Sequence, residues 1–344
     1  MAAGCGSSDS GGSSSSSGGG SSTSASGGGG SKADGAKLAV FYQNGSSYGV
    51  STYEASQAAA KKLGVSVTGF NGNNTPQTQS QQMQDAITSG KYKGFMIFPL
   101  NAQALKPQVA AAEKAGIKVA TGDFTFGDLN SQIELNATPG LVTTVGQSIG
   151  EQQVAFADSI KQACAKQVGE GNPCNVAFMV GLTNFPTDTL RINYLKKTFA
   201  TGPIKLKLTP PGQYDTPTSQ KVALTYFGSN KDIDVFHSFG DQMSAGVITA
   251  LKQLKITPGK DIQVLGAGGS EEFVQAIKDG TAFATIALYP KSEANLGIGA
   301  LVDSLNGKKV ENPINVVNGT DRPFIVDAAF LKEHPDFQPE WSVG

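Results

Sequence analysis

The 344-residue chain is poor in the residues that most often carry catalysis: it has two histidines, three cysteines and one tryptophan. Neither His237 nor His334 belongs to a His-x-x-x-His or Cys-x-x-Cys spacing, so no metal site is expected. There is no Gly-Lys-Ser/Thr phosphate loop, and His237, at the end of an apolar strand, reads as a structural or pocket-lining residue. The turn Gly266-Ala-Gly-Gly-Ser270 puts Glu271 where a dinucleotide fingerprint needs its third glycine, and it reads as a tight turn before a helix with an acidic start. No apolar run reaches the eighteen or so residues that a membrane helix needs. A formal charge of -1 with 16% charged residues and no basic stripe excludes nucleic acid and anionic lipid as partners of the fold itself. No cofactor is called for, and the chain is expected not to be an enzyme.

What is present is a composition break. Residues up to Ser31 are almost wholly Gly and Ser, and ordinary globular sequence follows. From Lys37 onward, short β-branched runs alternate with longer amphipathic stretches, as in parallel sheets covered by helices. Strands are expected at Lys37–Tyr42, Val65–Phe70, Gly94–Phe98 and Ile117–Thr121, with helices at Tyr48–Leu63, Thr75–Ser89 and Ala102–Ala115. The stretch Pro139–Val168 carries helical spacing, after which the alternation restarts with strands near Val176, Ile204, Val235, Ile262 and Ala282. A last helix, Lys291–Asn306, and extended runs near Ile314 and Phe324 complete the chain. This is an α/β fold of two similar lobes.

The cysteines split into two questions. Cys164 and Cys174 frame a segment rich in turn formers that would close as a disulfide, the alternative being two buried thiols. Cys5 ends an Ala-Ala-Gly-Cys box at the head of the Gly/Ser run, as in a lipid-acylated cysteine, although neither a basic stretch nor an apolar run precedes it and an incidental cysteine fits the four residues equally. A bridge and a tether both suit an oxidising compartment outside the cytoplasm.

Leu38-Ala-Val-Phe-Tyr-Gln-Asn-Gly-Ser-Ser-Tyr48 with Glu54 to Gly64, Phe95-Met-Ile-Phe-Pro99, Ala115-Gly-Ile-Lys-Val-Ala-Thr-Gly-Asp123 and Asp279-Gly-Thr-Ala-Phe-Ala-Thr-Ile-Ala287 together resemble the ribose/galactose type of solute-binding protein. The resemblance covers nearly all of 37–319. It implies the type I periplasmic binding protein fold, in which a three-segment hinge joins two lobes and a small polar ligand is captured between them for an ABC importer. On this view 1–35 are a lipobox remnant and flexible tether, 36–138 plus 290–322 one lobe, and 139–289 plus 323–344 the other. Placed ahead of such a body, Cys5 reads as the anchor of a monomeric, extracytoplasmic lipoprotein of the bacterial cell membrane, with an ABC permease as partner and no other membrane contact.

The resemblance also nominates a site. Asp123 matches a hydroxyl acceptor, Arg191 an arginine reaching in from the second lobe, and Tyr48 and Tyr214 aromatics at loop positions; Phe185 precedes the Arg191 helix. Ser46, Phe98, Phe124, Gly240 with its neighbour Asp241, and Gly268 fall where the family lines its cleft, and at Ser46, Phe98, Phe124, Gly240, Gly268 and Leu288 the ribose-type polar groups are replaced. Buried ribose hydroxyls would then lack partners. The replacements imply a larger or less polar ligand, such as a modified sugar, a glycoside or a nucleoside-like compound. A sensor that presents its loaded form to a receptor, or an α/β enzyme acting on a small carbohydrate, are the alternatives. A DNA-binding regulator of similar core would need an N-terminal helix-turn-helix, which the Gly/Ser run cannot form.

Overall fold

A computed structural model describes residues 33–123, 126–127, 133–183, 185–317 and 322–344. Cys5 and the proposed tether, apart from residues 33–35, lie outside the described residues, as does Phe124. The first half runs β1 (Lys37–Tyr42), α1 (Ser47–Lys62), β2 (Ser66–Asn71), α2 (Pro76–Ser89), β3 (Gly94–Ile97), α3 (Ala102–Lys114), β4 (Lys118–Thr121) and β5 (Thr143–Gly146). The second half runs α4 (Ile149–Val168), β6 (Cys174–Met179), α5 (Pro186–Thr198), β7 (Ile204–Leu208), α6 (Thr216–Ser229), β8 (Val235–Ser238), α7 (Asp241–Gln253), β9 (Gln263–Gly268), α8 (Glu271–Lys278) and β10 (Ala284–Ala287). The chain closes with α9 (Pro290–Leu305), β11 (Ile314–Asn315), β12 (Ile325–Asp327) and α10 (Ala328–Glu333).

Two six-stranded sheets result, ordered β11-β5-β4-β3-β1-β2 and β12-β10-β9-β8-β6-β7. The orders are equivalent position by position, so the two lobes are repeats of one topology. All pairings are parallel except that of β12 with β10. Strands buried on both faces read as near-continuous apolar runs. In β1 the period of two sends Leu38 and Val40 into the cluster under α1 and α9, and Ala39 and Phe41 into the cluster under α2 and α3. Ser46 ends the first loop by capping α1, its hydroxyl accepting from the Gly49 N–H at 3.5 Å.

The chain passes between sheets after β5, after β10 and between β11 and β12. This corrects the lobe boundary at 138/139. β5 pairs with β4 (Ala120 with Thr143) and so belongs to the first sheet, and the passage falls between Gly146 and Ile149. The helical spacing of 139–168 is therefore interrupted: β5 is a buried four-residue Thr-Thr-Val-Gly strand, too short to show a period of its own, and the helix proper begins at its Ser148 cap.

Cys164, near the end of α4, and Cys174, at the start of β6, are joined by a disulfide with 5.8 Å between Cα atoms. Closing a loop with a separation of 10 residues contributes about 2–3 kcal/mol in the chain-entropy view. The bridge pins the α4–β6 turn of the second lobe.

Candidate functional site

In open parallel sheets, loops at the carboxyl ends of strands line the crevice where strand order reverses. Here both sheets bring those ends to one crevice of about 580 Å³, mouth included. The first lobe contributes Gln43, Asn44, Ser46 and Tyr48 after β1, Asn74 after β2, Leu100 after β3 and Asp123 after β4. The second contributes Leu182, Phe185 and Arg191 after β6, Tyr214 after β7, Phe239, Gly240 and Gln242 after β8, and Ala267 on β9. Leu288, on the hinge segment, and Trp341, in the C-terminal tail, complete the lining.

Asp123 is 5% exposed and adopts a left-handed φ of 80°, a conformation that Asp tolerates better than most residues. Its N–H donates to Glu293 Oε2 at 2.9 Å and its Oδ2 accepts from Gln43 Nε2 at 2.8 Å, so the carboxylate is aimed by both neighbours. Burial pushes its pKa up, while the Gln43 donor, the Arg191 charge and the nearby Tyr48 hydroxyl pull it down. Glu293 is held well above the usual carboxyl range, first by burial and then by the charges of Asp123 and Glu340. The Tyr48 hydroxyl is itself buried and lacks a well-placed hydrogen bond.

Arg191 faces Asp123 from α5 and is 4% exposed. Its guanidinium lies 5.6 and 5.5 Å from the rings of Phe156 and Phe239, and its Nη2 donates to Gln152 Oε1. Gln152 Nε2 donates in turn to Gln147 Oε1 at 2.7 Å, and Gln147 Nε2 to the Ala287 carbonyl at 3.1 Å. Gln147 and Ala287 sit at two of the passages between lobes, so a relay of amides joins the cleft arginine to the hinge.

Tyr214 is fixed by Asp188, which accepts its hydroxyl at 2.5 Å and the N–H groups of Gly181 and Leu182 at 2.9 and 3.1 Å. A Cβ on Gly181 would lie 2.0 Å from the Tyr214 ring, so only glycine lets the ring lie on that loop. Burial raises the Asp188 pKa against these donors and Arg191.

Of the residues nominated by sequence, Ser46, Tyr48, Asp123, Phe185, Arg191, Tyr214 and Gly240 come together in the crevice. Phe98, Asp241 and Gly268 do not. Phe98 is 2% exposed and packs into the core under α1 and α9, since the pleat at the end of β3 turns it inward. The room that Gly268 was expected to make is filled: a Cβ there would lie 2.3 Å from the Trp341 ring. The expectation of a larger ligand loses that support, and Gln43, Asn44, Asn74 and Gln242 supply polar groups that reading did not count.

Asp241 is a scaffold residue. Its carboxylate accepts from the Ser270 N–H and the Thr285 hydroxyl, each at 2.7 Å, tying α7 to the α8 start and to β10. Burial pushes its pKa up to about 6 despite these donors. A raised carboxyl pKa means folding favours the protonated form, so this contribution to stability is complete below the ordinary pKa near 3.8 and is lost as pH rises through about 6. Thermal melts between pH 4 and 7 are expected to show Asp241→Asn losing that part of the decline. A variant whose melting temperature tracks the parent's at every pH would refute this reading.

His237 is fully buried between the Phe156 and Phe178 rings, 3.5 Å from the Ser159 hydroxyl, and desolvation lowers its pKa to about 3. It is a neutral core residue of the second lobe.

Residues 38–309 match the family model described as periplasmic binding protein domain. The D-allose-binding periplasmic protein of Escherichia coli K12 is 28% identical over 253 residues, covering 73% of this chain and 78% of that protein. The ribose import binding protein of Salmonella typhimurium is 26% identical over 265 residues, covering 76% and 82%. A Mycobacterium smegmatis protein solved with β-D-fucofuranose superposes with a TM-score of 0.73 at 18% identity, covering 87% of this chain and 93% of that one, a likeness of fold. With two topologically equivalent lobes meeting at one crevice and a family match over 38–309, the chain belongs to the periplasmic binding protein family.

Proposed function

We propose that this protein captures a sugar or sugar-like polyol in the interlobe crevice and delivers it to an ABC importer outside the cytoplasm. The observation that carries the reading is the pairing of a buried carboxylate, Asp123, with a buried guanidinium, Arg191, from opposite lobes, among Tyr48, Phe185, Tyr214, Phe239 and Trp341. Vicinal hydroxyls present the donors and acceptors that a carboxylate and a guanidinium satisfy together, and the C–H face of a sugar ring suits aromatic walls. Names of relatives support the same class: ribose, D-allose and galactofuranose. Ligand held by both lobes would draw the hinge closed, the form a permease can tell from the open one.

Membrane attachment through acylated Cys5 is part of the proposal, supported by the Ala-Ala-Gly-Cys box and the family's place of work. Mass spectrometry of membrane-extracted native protein is expected to find a lipid-bearing N-terminal peptide.

The test of ligand class is a thermal-shift screen of pentoses, hexoses and polyols, with native mass spectrometry for co-purified ligand. One class is expected to raise the melting temperature, since ligand at 100 times Kd adds about 2.7 kcal/mol. A panel with no shift, together with a non-carbohydrate co-purified mass, would overturn the sugar reading.

A further inference from the structure

The C-terminal tail is tied to both lobes at the edge of the crevice. On the first-lobe side, Glu340 accepts from the Ser292 N–H at 2.8 Å and from its hydroxyl, at the start of α9, with Arg322 of the third hinge segment 3.8 Å away. On the second-lobe side, the Trp341 carbonyl accepts from the Glu271 N–H at 2.9 Å, and Glu272 accepts from the Val343 N–H at 2.6 Å and from the Ser342 hydroxyl. Between these ties stands Trp341, 1% exposed, its indole N–H donating to the Gly268 carbonyl at 2.7 Å and its ring meeting Tyr48 edge-on at 5.3 Å. It touches a β9 residue of one lobe and an α1 residue of the other.

We propose that Trp341 is a ligand-contacting residue that sets selectivity: the tail inserts it as one wall of the crevice that Phe185 and Tyr214 also line, and it occupies the space beside Gly268 that a bulkier ligand would need. This rests on the small-molecule binding reading above and deepens it. The indole offers a rigid apolar face for a sugar's C–H surface, and its one polar atom is already satisfied by Gly268, so it selects by shape and not by hydrogen bonding. Because the tail is anchored on both sides of the hinge, the position of that wall follows closure.

Trp341 is the only tryptophan in the chain, so intrinsic fluorescence reads this one side chain. Without any ligand, its emission is expected to be that of a buried indole, poorly quenched by iodide, with quenching rising in the Glu340→Ala variant. Solvent-exposed emission in the full-length protein would overturn the placement. With the best sugar or polyol from the screen, emission should change along the calorimetric isotherm. Trp341→Ala should weaken that ligand about tenfold or more while gaining relative affinity for analogues bulkier at one ring position, and Trp341→Phe should recover most of the loss. Unchanged calorimetric affinity and ranking in Trp341→Ala would refute the proposal while leaving the sugar reading intact. A panel that binds nowhere together with a non-carbohydrate co-purified mass, with buried emission retained, would refute the sugar reading instead.

Discussion

Asp123→Asn is expected to lower ligand affinity by about 100-fold in a protein that still folds, with a lowered melting temperature because Arg191 loses one of the two carboxylates it faces. A hydrogen bond to a charged group is worth about 1.5–3 kcal/mol, and in the amide the oxygen not held by Gln43 becomes a donor that cannot accept a ligand hydroxyl, while the remaining acceptor loses its charge. The fold should tolerate the change because Asn is at home at the left-handed φ of 80°, and the N–H bond to Glu293 belongs to the backbone. The remaining amide oxygen still serves Gln43. Calorimetry on folded variant decides the matter: affinity within a few-fold of the parent would remove Asp123 from the site.

The second large effect is expected at Arg191, where binding and folding should fall together. Arg191→Met removes the cation that lowers the pKa of both Asp123 and Asp188, and leaves the Gln152 carbonyl oxygen without its donor. Breaking a buried charge constellation on one side costs about 3–5 kcal/mol. Urea melts at neutral pH should show a loss near the lower figure, because the two carboxyls relieve part of the penalty by taking up protons. The sign follows: with both pKa values raised further, the variant recovers stability as pH falls toward their new values. Arg191→Lys keeps the charge but not the planar fork of donors held near the Phe156 and Phe239 rings, so it should be stable yet bind more than about tenfold weaker. Parent-like stability in the Met variant would mean the arginine is an ordinary helix residue.

The repeated βα framework was legible because β1 and β3 are apolar on both faces and stand between turn formers, apart from the helices that follow them, and α1 to α3 each run more than three turns. β5 was not, since four buried residues next to a twenty-residue helix are absorbed into the helix's period. Strand ends were the second blind spot. Resemblance located the ends of β3 and β9 correctly, but the pleat decides which side a residue there faces, and it turned Phe98 into the core. Polar loop residues such as Gln43, Asn44 and Asn74 look like solvated turns one at a time. The internal repeat would have found Asn74: Gly72-Asn-Asn-Thr-Pro76 and Gly212-Gln-Tyr-Asp-Thr-Pro217 follow equivalent strands, and Asn74 and Tyr214 both take left-handed φ, 56° and 53°. Trp341 had no such signal. It lies in an aperiodic tail beyond the matched region, and only three-dimensional proximity brings it to the cleft.

The relay that joins Arg191 to the Ala287 carbonyl is made of the side-chain amides of Gln152 and Gln147, which carry no titrating proton. Around it stand three carboxyls, Asp123, Asp188 and Glu293, each with its pKa raised by burial. Protons added to those carboxyls would therefore change the charge that faces the ligand, while each amide of the relay goes on presenting the same donor and the same acceptor.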